Sequence, residues 1–252
     1  MNAITLEICA GSLRSAIAAY EGGADRIELC SALEAGGLTP SIGMVKEAVK
    51  LKPMKVQVLV RPRSGDFLYS EAEKREMLAD VRAIREAGAD GVVIGALTAD
   101  GDVDAPFIKL LKEEAGEMSV TFHRAYDMLR SPEDALEILI TLGCDRILTS
   151  GQCATAEEGV SRIAALMRQA KGRIALMPGG GITSANVLEI LRNTGFSEVH
   201  SSARTAYMSQ MRYKNALVNM GKEGVDEYIL METSAEKVSE LKKIVGEGAF
   251  FL

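Results

Sequence analysis

Residues 23–30 read Gly-Ala-Asp-Arg-Ile-Glu-Leu-Cys, and the pattern returns as Gly-Ala-Asp-Gly-Val-Val-Ile-Gly at 88–95 and Gly-Cys-Asp-Arg-Ile-Leu-Thr-Ser at 143–150. A looser copy, Gly-Phe-Ser-Glu-Val-His-Ser-Ser, stands at 195–202. Each copy opens on a glycine where a helix must end in a left-handed cap before the chain turns into a strand. The starts at 23, 88, 143 and 195 leave intervals of 65, 55 and 52 residues, enough for two βα units each. Four copies therefore mark every second strand of eight, and the expected fold is α/β, a single (β/α)8 TIM barrel of parallel strands over residues 1–252. An open doubly wound sheet is the alternative, but it lacks its usual Gly-x-Gly-x-x-Gly turn after the first strand.

Working outward, strands are expected at Thr5–Cys9, Arg26–Cys30, Lys55–Arg61, Gly91–Gly95, Ser119–His123, Arg146–Ser150, Arg173–Met177 and Glu198–Ser201. Thr39-Pro40-Ser41 opens a helix towards Leu51, and Ser131-Pro132-Glu133-Asp134 opens another towards Leu142. The segment 203–233 is longer than a normal βα connection and carries Met208, Met211, Met220 and Met231, so it is expected to serve as a lid or a contact in a homo-oligomer.

Composition narrows the function. Hydrophobic residues make up 47% of the 252 and charged residues 25%, a balance able to bury a large core. The net charge of −6 offers no basic field for phosphate backbones, so nucleic acid is not an expected partner. No apolar run is long enough to span a membrane, and Met1–Glu7 does not read as a leader; a cytoplasmic protein is expected. Cys9, Cys30, Cys144 and Cys153 are too few for a disulfide scaffold and read as free thiols.

Strand alternation sorts the side chains. Leu6, Ile8, Ile27, Leu29, Val92, Ile94, Ile147 and Val199 should face the helices. That leaves Arg26, Gly91, Arg146 and Glu198 in the lowest inward layer, where the charges neutralise one another. Glu28, Val93, Leu148 and His200 come next, with Cys30, Gly95, Ser150 and Ser202 at the mouth; Glu7 and Cys9 also turn inward. Catalytic and ligand groups of such barrels sit at the C-terminal mouth. Cys9 and Cys30 end adjacent strands there and could share one soft ion such as Cu(I), although a free cysteine is often only a small buried hydrophobe. Cys153, in the loop after strand six, could add a third thiol. Glu7 and Glu28 need partners inside the barrel, and the candidates are Arg61, His123 and His200, a set capable of acid and base catalysis or of simply filling the interior. Gly179-Gly180-Gly181 after strand seven and Ser202 and Arg204 after strand eight lie where barrels bind phosphate, so Gly180, Gly181, Ser202 and Arg204 form a candidate anion site, unless the triplet is only a tight turn. Arg61-Pro62-Arg63-Ser64-Gly65-Asp66-Phe67 is a further candidate ligand loop, or else a turn held by Asp66.

As a set, Glu7-Ile8-Cys9, Gly22–Cys30, Gly36–Ser41, Arg61–Phe67, Thr121–Ala125, Leu148–Gly151 and Gly179–Ile182 resemble the CutC family of copper homeostasis proteins over residues 4 to 205. The resemblance implies a TIM barrel in the cytoplasm, a link to copper tolerance or trafficking, and Cu(I) held by Cys9 and Cys30. Two functions are carried forward. One is a copper homeostasis protein binding Cu(I) through those cysteines. The other is an enzyme in which Glu7, Glu28, Arg61, His123 and His200 surround a small anionic or phosphorylated substrate.

Overall fold

The computed structural model describes residues 4–215, 217–218 and 226–248. Eight strands, β1 (Thr5–Ala10), β2 (Arg26–Leu29), β3 (Lys55–Leu59), β4 (Gly91–Ile94), β5 (Ser119–Phe122), β6 (Arg146–Thr149), β7 (Ala175–Pro178) and β8 (Glu198–Ser201), form one parallel sheet. Its order is 7-6-5-4-3-2-1-8, so each strand neighbours its sequence successor and β1 pairs with β8. Helices α1 (Leu13–Glu21), α2 (Ile42–Ala48), α3 (Glu71–Glu86), α4 (Ala105–Ala115), α5 (Pro132–Thr141), α6 (Val160–Ala170), α7 (Val187–Thr194) and α8 (Ala235–Gly248) follow the strands in turn. The result is the expected TIM barrel, nearly closed: β7 and β8 lie side by side but share no hydrogen-bonded ladder.

The repeat has a double cause. Gly23, Gly88, Gly143 and Gly195 all have φ between +68° and +83°, the left-handed region an L side chain rarely enters. The aspartate two residues on was not anticipated. Asp25, Asp90 and Asp145 accept the N–H groups of Leu6, Val56 and Val120 at 2.8, 3.0 and 2.7 Å, stitching each even strand to its odd predecessor. The fourth copy has Ser197 there, no such bond to β7 exists among the described residues, and the seam of the barrel falls at that junction.

Two hydrophobic clusters separate the faces of the strands. Leu6, Ile8, Ile27, Leu29, Val92, Ile94, Ile147 and Val199 belong to the large cluster shared with the helices. Cys9, Cys30, Leu59 and Val93 form a small one of their own inside the barrel. The expected alternation holds on these strands because a half-turn of register would put charged residues against the helices.

Local departures have local reasons. Ser41 caps α2 as expected, but the helix stops at Ala48, and the Lys50 and Leu51 N–H groups bond to the Glu47 and Ala48 carbonyls in tighter turns that lead to Pro53. β7 begins at Ala175 rather than Arg173, because Arg173 is held in the turn by its N–H on the Ala170 carbonyl and its guanidinium on Glu137. β3 and β5 end at Leu59 and Phe122, leaving Arg61 and His123 just beyond their strands.

The long connection is built as an antiparallel ribbon, β9 (Arg204–Met208) and β10 (Ile229–Thr233), inserted between β8 and α8. It leans on α1: Ser12 and Ser15 both donate to Glu232 at 2.5 Å, and the Thr233 N–H bonds to Ser15. Met208, Met211 and Met231 are exposed, and Met220 lies outside the described residues. Among the described residues no helix is long and apolar enough to cross a membrane.

Candidate functional site

A chain of alternating charges rises through the barrel from base to mouth. Arg146 donates to Glu198 at 3.0 Å, Arg26 bridges Glu198 and Glu7, and Glu7 meets His200 Nδ1 at 2.8 Å. His200 Nε2 in turn lies 3.7 Å from Glu28. The lowest layer neutralises itself as expected, and it also anchors the site above it through Arg26. Burial raises the Glu7 carboxyl, but the Arg26 charge and then the hydrogen bond and charge of His200 outweigh it and bring the pKa down to about 2. Glu28 goes the other way: burial, reinforced by the charge of Glu7, lifts it above the usual carboxylate range despite the pull of His200. Burial disfavours a charged His200, yet its hydrogen bonds to Cys9 and Glu7 and the charges of Glu28 and Glu7 hold it well above the ordinary histidine range. One ionised and one raised carboxyl thus flank a protonated imidazole.

Cys9 and Cys30 stand above this chain with their sulfurs 3.7 Å apart, both buried. The contact between them, then burial and the charges of Cys30 and Glu28, push the Cys9 thiol well above its usual pKa. The donor atoms of Cys9, Glu28 and His200 all lie within 4.8 Å of one another, a group that could hold a metal ion. Cys153 is not part of it: it lies off the mouth and offers only its carbonyl, to Ser150 and Arg124. Cys144 is buried in the large core cluster.

A cavity of about 360 Å³ opens above the thiols, lined by Cys9, Glu28, Cys30 and His200 on one side. Arg61, Phe67, His123 and Arg124 line another side, and Gly180, Gly181, Ser202 and Arg204 close it. Of the three groups expected to partner the two carboxylates, only His200 does so. Arg61 gives its terminal nitrogens to the carbonyls of Ala35, Gly37 and Gly65, and His123 Nδ1 accepts the Ala125 N–H at 3.0 Å. Both sit past the ends of their strands, too far along the chain to turn down into the charge ladder. Within the loop after β3, Arg63 holds the turn through Asp66 and Glu73 while Arg61 faces the cavity.

The CutC family matches residues 4–205. The chain belongs to that family. It is 50% identical over 238 residues to a CutC family protein of Chromobacterium violaceum, covering 94% of this chain and 96% of the relative. It is also 47% identical over 244 residues to the human copper homeostasis protein cutC homolog, covering 96% and 89%. A crystal structure of CutC from Streptococcus agalactiae superposes with a TM-score of 0.76 at 33% identity, over 79% of this chain and 98% of that one. Thiamine phosphate pyrophosphorylase of Pyrococcus furiosus shares the barrel at TM-score 0.60 and 18% identity over 98% of each chain, which is a likeness of fold alone.

In this CutC barrel the residues taken from alternation, Glu7, Cys9, Glu28, Cys30 and His200, converge. Sequence reasoning missed the support behind Arg124 and Ser150. Asp127 pairs with Arg124 at 2.7 Å and accepts from Thr149 at 2.5 Å and from the Ser150 N–H at 3.1 Å, so it fixes the rim between β5 and β6. The Arg124-Ala125-Tyr126-Asp127 spacing was the available signal, since residues three apart share one face of a single turn.

Proposed function

We propose that this copper homeostasis family member binds Cu(I) at the barrel mouth through Cys9 and Cys30. The 3.7 Å sulfur separation carries the reading. Cys9 and Cys30 would hold the ion as two neighbouring thiolate donors, supplying the soft sulfur ligation it prefers. His200 and Glu28 lie within 4.8 Å of the Cys9 donor and are the further candidate ligands on that side; Cys30 stands outside that three-residue group. Thiolates are soft ligands suited to Cu(I), and two thiols this close stay reduced in the cytoplasm, the compartment the reading assumes. Binding must displace the thiol protons, so affinity rises with pH.

An anaerobic Cu(I) titration against a competing chelator tests this, with one tightly held ion expected for the wild type and none for the Cys9→Ser/Cys30→Ser double variant. Unchanged affinity in a folded double variant overturns it. A second reading is favoured by His200 standing between an ionised Glu7 and a raised Glu28, the pairing acid and base catalysis uses. In that reading Glu28, Arg61, His123 and His200 line the cavity around a small anionic or phosphorylated substrate, Glu7 orients His200 from behind, and substrate binding survives loss of the cysteines.

A further inference from the structure

The cavity wall formed just beyond β3 and β5 carries two buried polar atoms that the fold leaves unpartnered. The first is on His123. Its Nδ1 accepts the Ala125 N–H, and burial, helped by the nearby Arg61 charge, lowers its pKa to about 3. A neutral imidazole whose Nδ1 is an acceptor carries its proton on Nε2. That N–H is buried with no partner among the described residues. Its direction is fixed, because the ring lies 5.0 Å from the Phe67 ring and over Gly95, where a Cβ would come within 2.3 Å of it.

The second atom is Arg61 Nε. Arg61 is 93% buried, gives its terminal nitrogens to carbonyls, lies over the Phe67 ring and beside Tyr69, and has no carboxylate partner among the described residues. Among the described residues the other buried arginine, Arg26, has Glu7 and Glu198. A buried guanidinium without a counter-charge is costly, and a buried donor without an acceptor adds to that cost. Both atoms belong to residues lining the mouth cavity. Across it, Gly180 and Gly181 have φ of +97° and +75°, and among the described residues neither N–H is used in a hydrogen bond. Arg204 beside them is likewise without an ion pair among the described residues, and exposed.

We propose that the mouth binds a small organic oxyanion, a carboxylate or phosphate compound whose oxygen accepts from His123 Nε2–H and lies against the Arg61 guanidinium. Gly180, Gly181, Ser202 and Arg204 take a second polar group of the same molecule. This goes beyond the copper reading and does not depend on it, since neither His123 nor Arg61 belongs to the thiol cluster.

The test uses the full chain and two probes, inorganic phosphate and succinate, followed by calorimetry and by the imidazole ¹⁵N–¹H spectrum. The expected spectrum shows His123 protonated at Nε2 at neutral pH, with that signal moving as one probe saturates. His123→Phe weakens binding by about tenfold or more, whereas His123→Gln, which keeps an N–H donor, retains most of it. Phosphate binding tighter than succinate assigns a phosphoryl compound, and the reverse a carboxylate. No saturable binding of either probe, or a His123→Phe variant binding like the wild type, overturns the proposal. Copper affinity measured on the same His123→Phe sample should equal that of the wild type, so a failure of this site is distinguishable from a failure of the thiol site.

Discussion

Replacing His123 by glutamine should change how stability depends on pH, by an amount the structure sets. In the fold, burial and then the Arg61 charge hold His123 at about 3 against 6.5 for the free side chain. The unfolded chain therefore takes up a proton on His123 as pH falls through 6.5, while the folded protein does not until near 3. Stability is thus lost on going down through that window, not on going up. At ~1.36 kcal/mol per unit the full window is worth about 5 kcal/mol; roughly 0.7 of it is lost between pH 7 and 6 and about 2 by pH 5. Glutamine does not titrate, and the carboxylates and His200 are common to both proteins, so they cancel in the difference. Urea unfolding followed by circular dichroism at pH 7, 6 and 5, with a constant slope against denaturant, reads that difference directly. The wild type should lose about 2 kcal/mol relative to His123→Gln across this range. Parallel stability curves would show that His123 titrates in the fold as it does in the unfolded chain, and the desolvated imidazole would fall with that result.

Two further outcomes concern the scaffold. Arg26→Met leaves Glu7 and Glu198 without the cation they share inside the barrel, and should cost about 3–5 kcal/mol in chemical denaturation at pH 7; a loss within the range of a surface substitution would refute the ladder. Asp90→Ala removes the acceptor of the Val56 N–H and should cost about 1–3 kcal/mol, whereas Ser197→Ala, at the repeat position that makes no such bond, should stay within about 0.5 kcal/mol.

The sequence by itself determined the barrel, because the information is local. A glycine that must be left-handed, followed three residues later by a strand, recurs four times, and period-two alternation then assigns each strand residue to a face. Glu7, Cys9, Glu28, Cys30 and His200 were legible for that reason: each lies within, or one residue beyond, a β-strand, where register dictates direction. The role of the repeat's aspartate was not legible, since Asp25, Asp90 and Asp145 bond to strands that begin earlier in the chain by a whole helix.

What only the tertiary structure decided lies past the strand ends. Arg61 and His123 sit in loops, where no periodicity fixes direction and neighbouring carbonyls compete with distant carboxylates for each donor. Those local bonds won: Arg61 turned to Ala35, Gly37 and Gly65, and His123 to Ala125, leaving the charge ladder to His200 alone. Composition cannot say which of two histidines is buried neutral beside an arginine and which is held protonated between two carboxylates. That difference depends on charges brought together from β1, β2 and β8, and on the desolvation that closure of the barrel imposes on them.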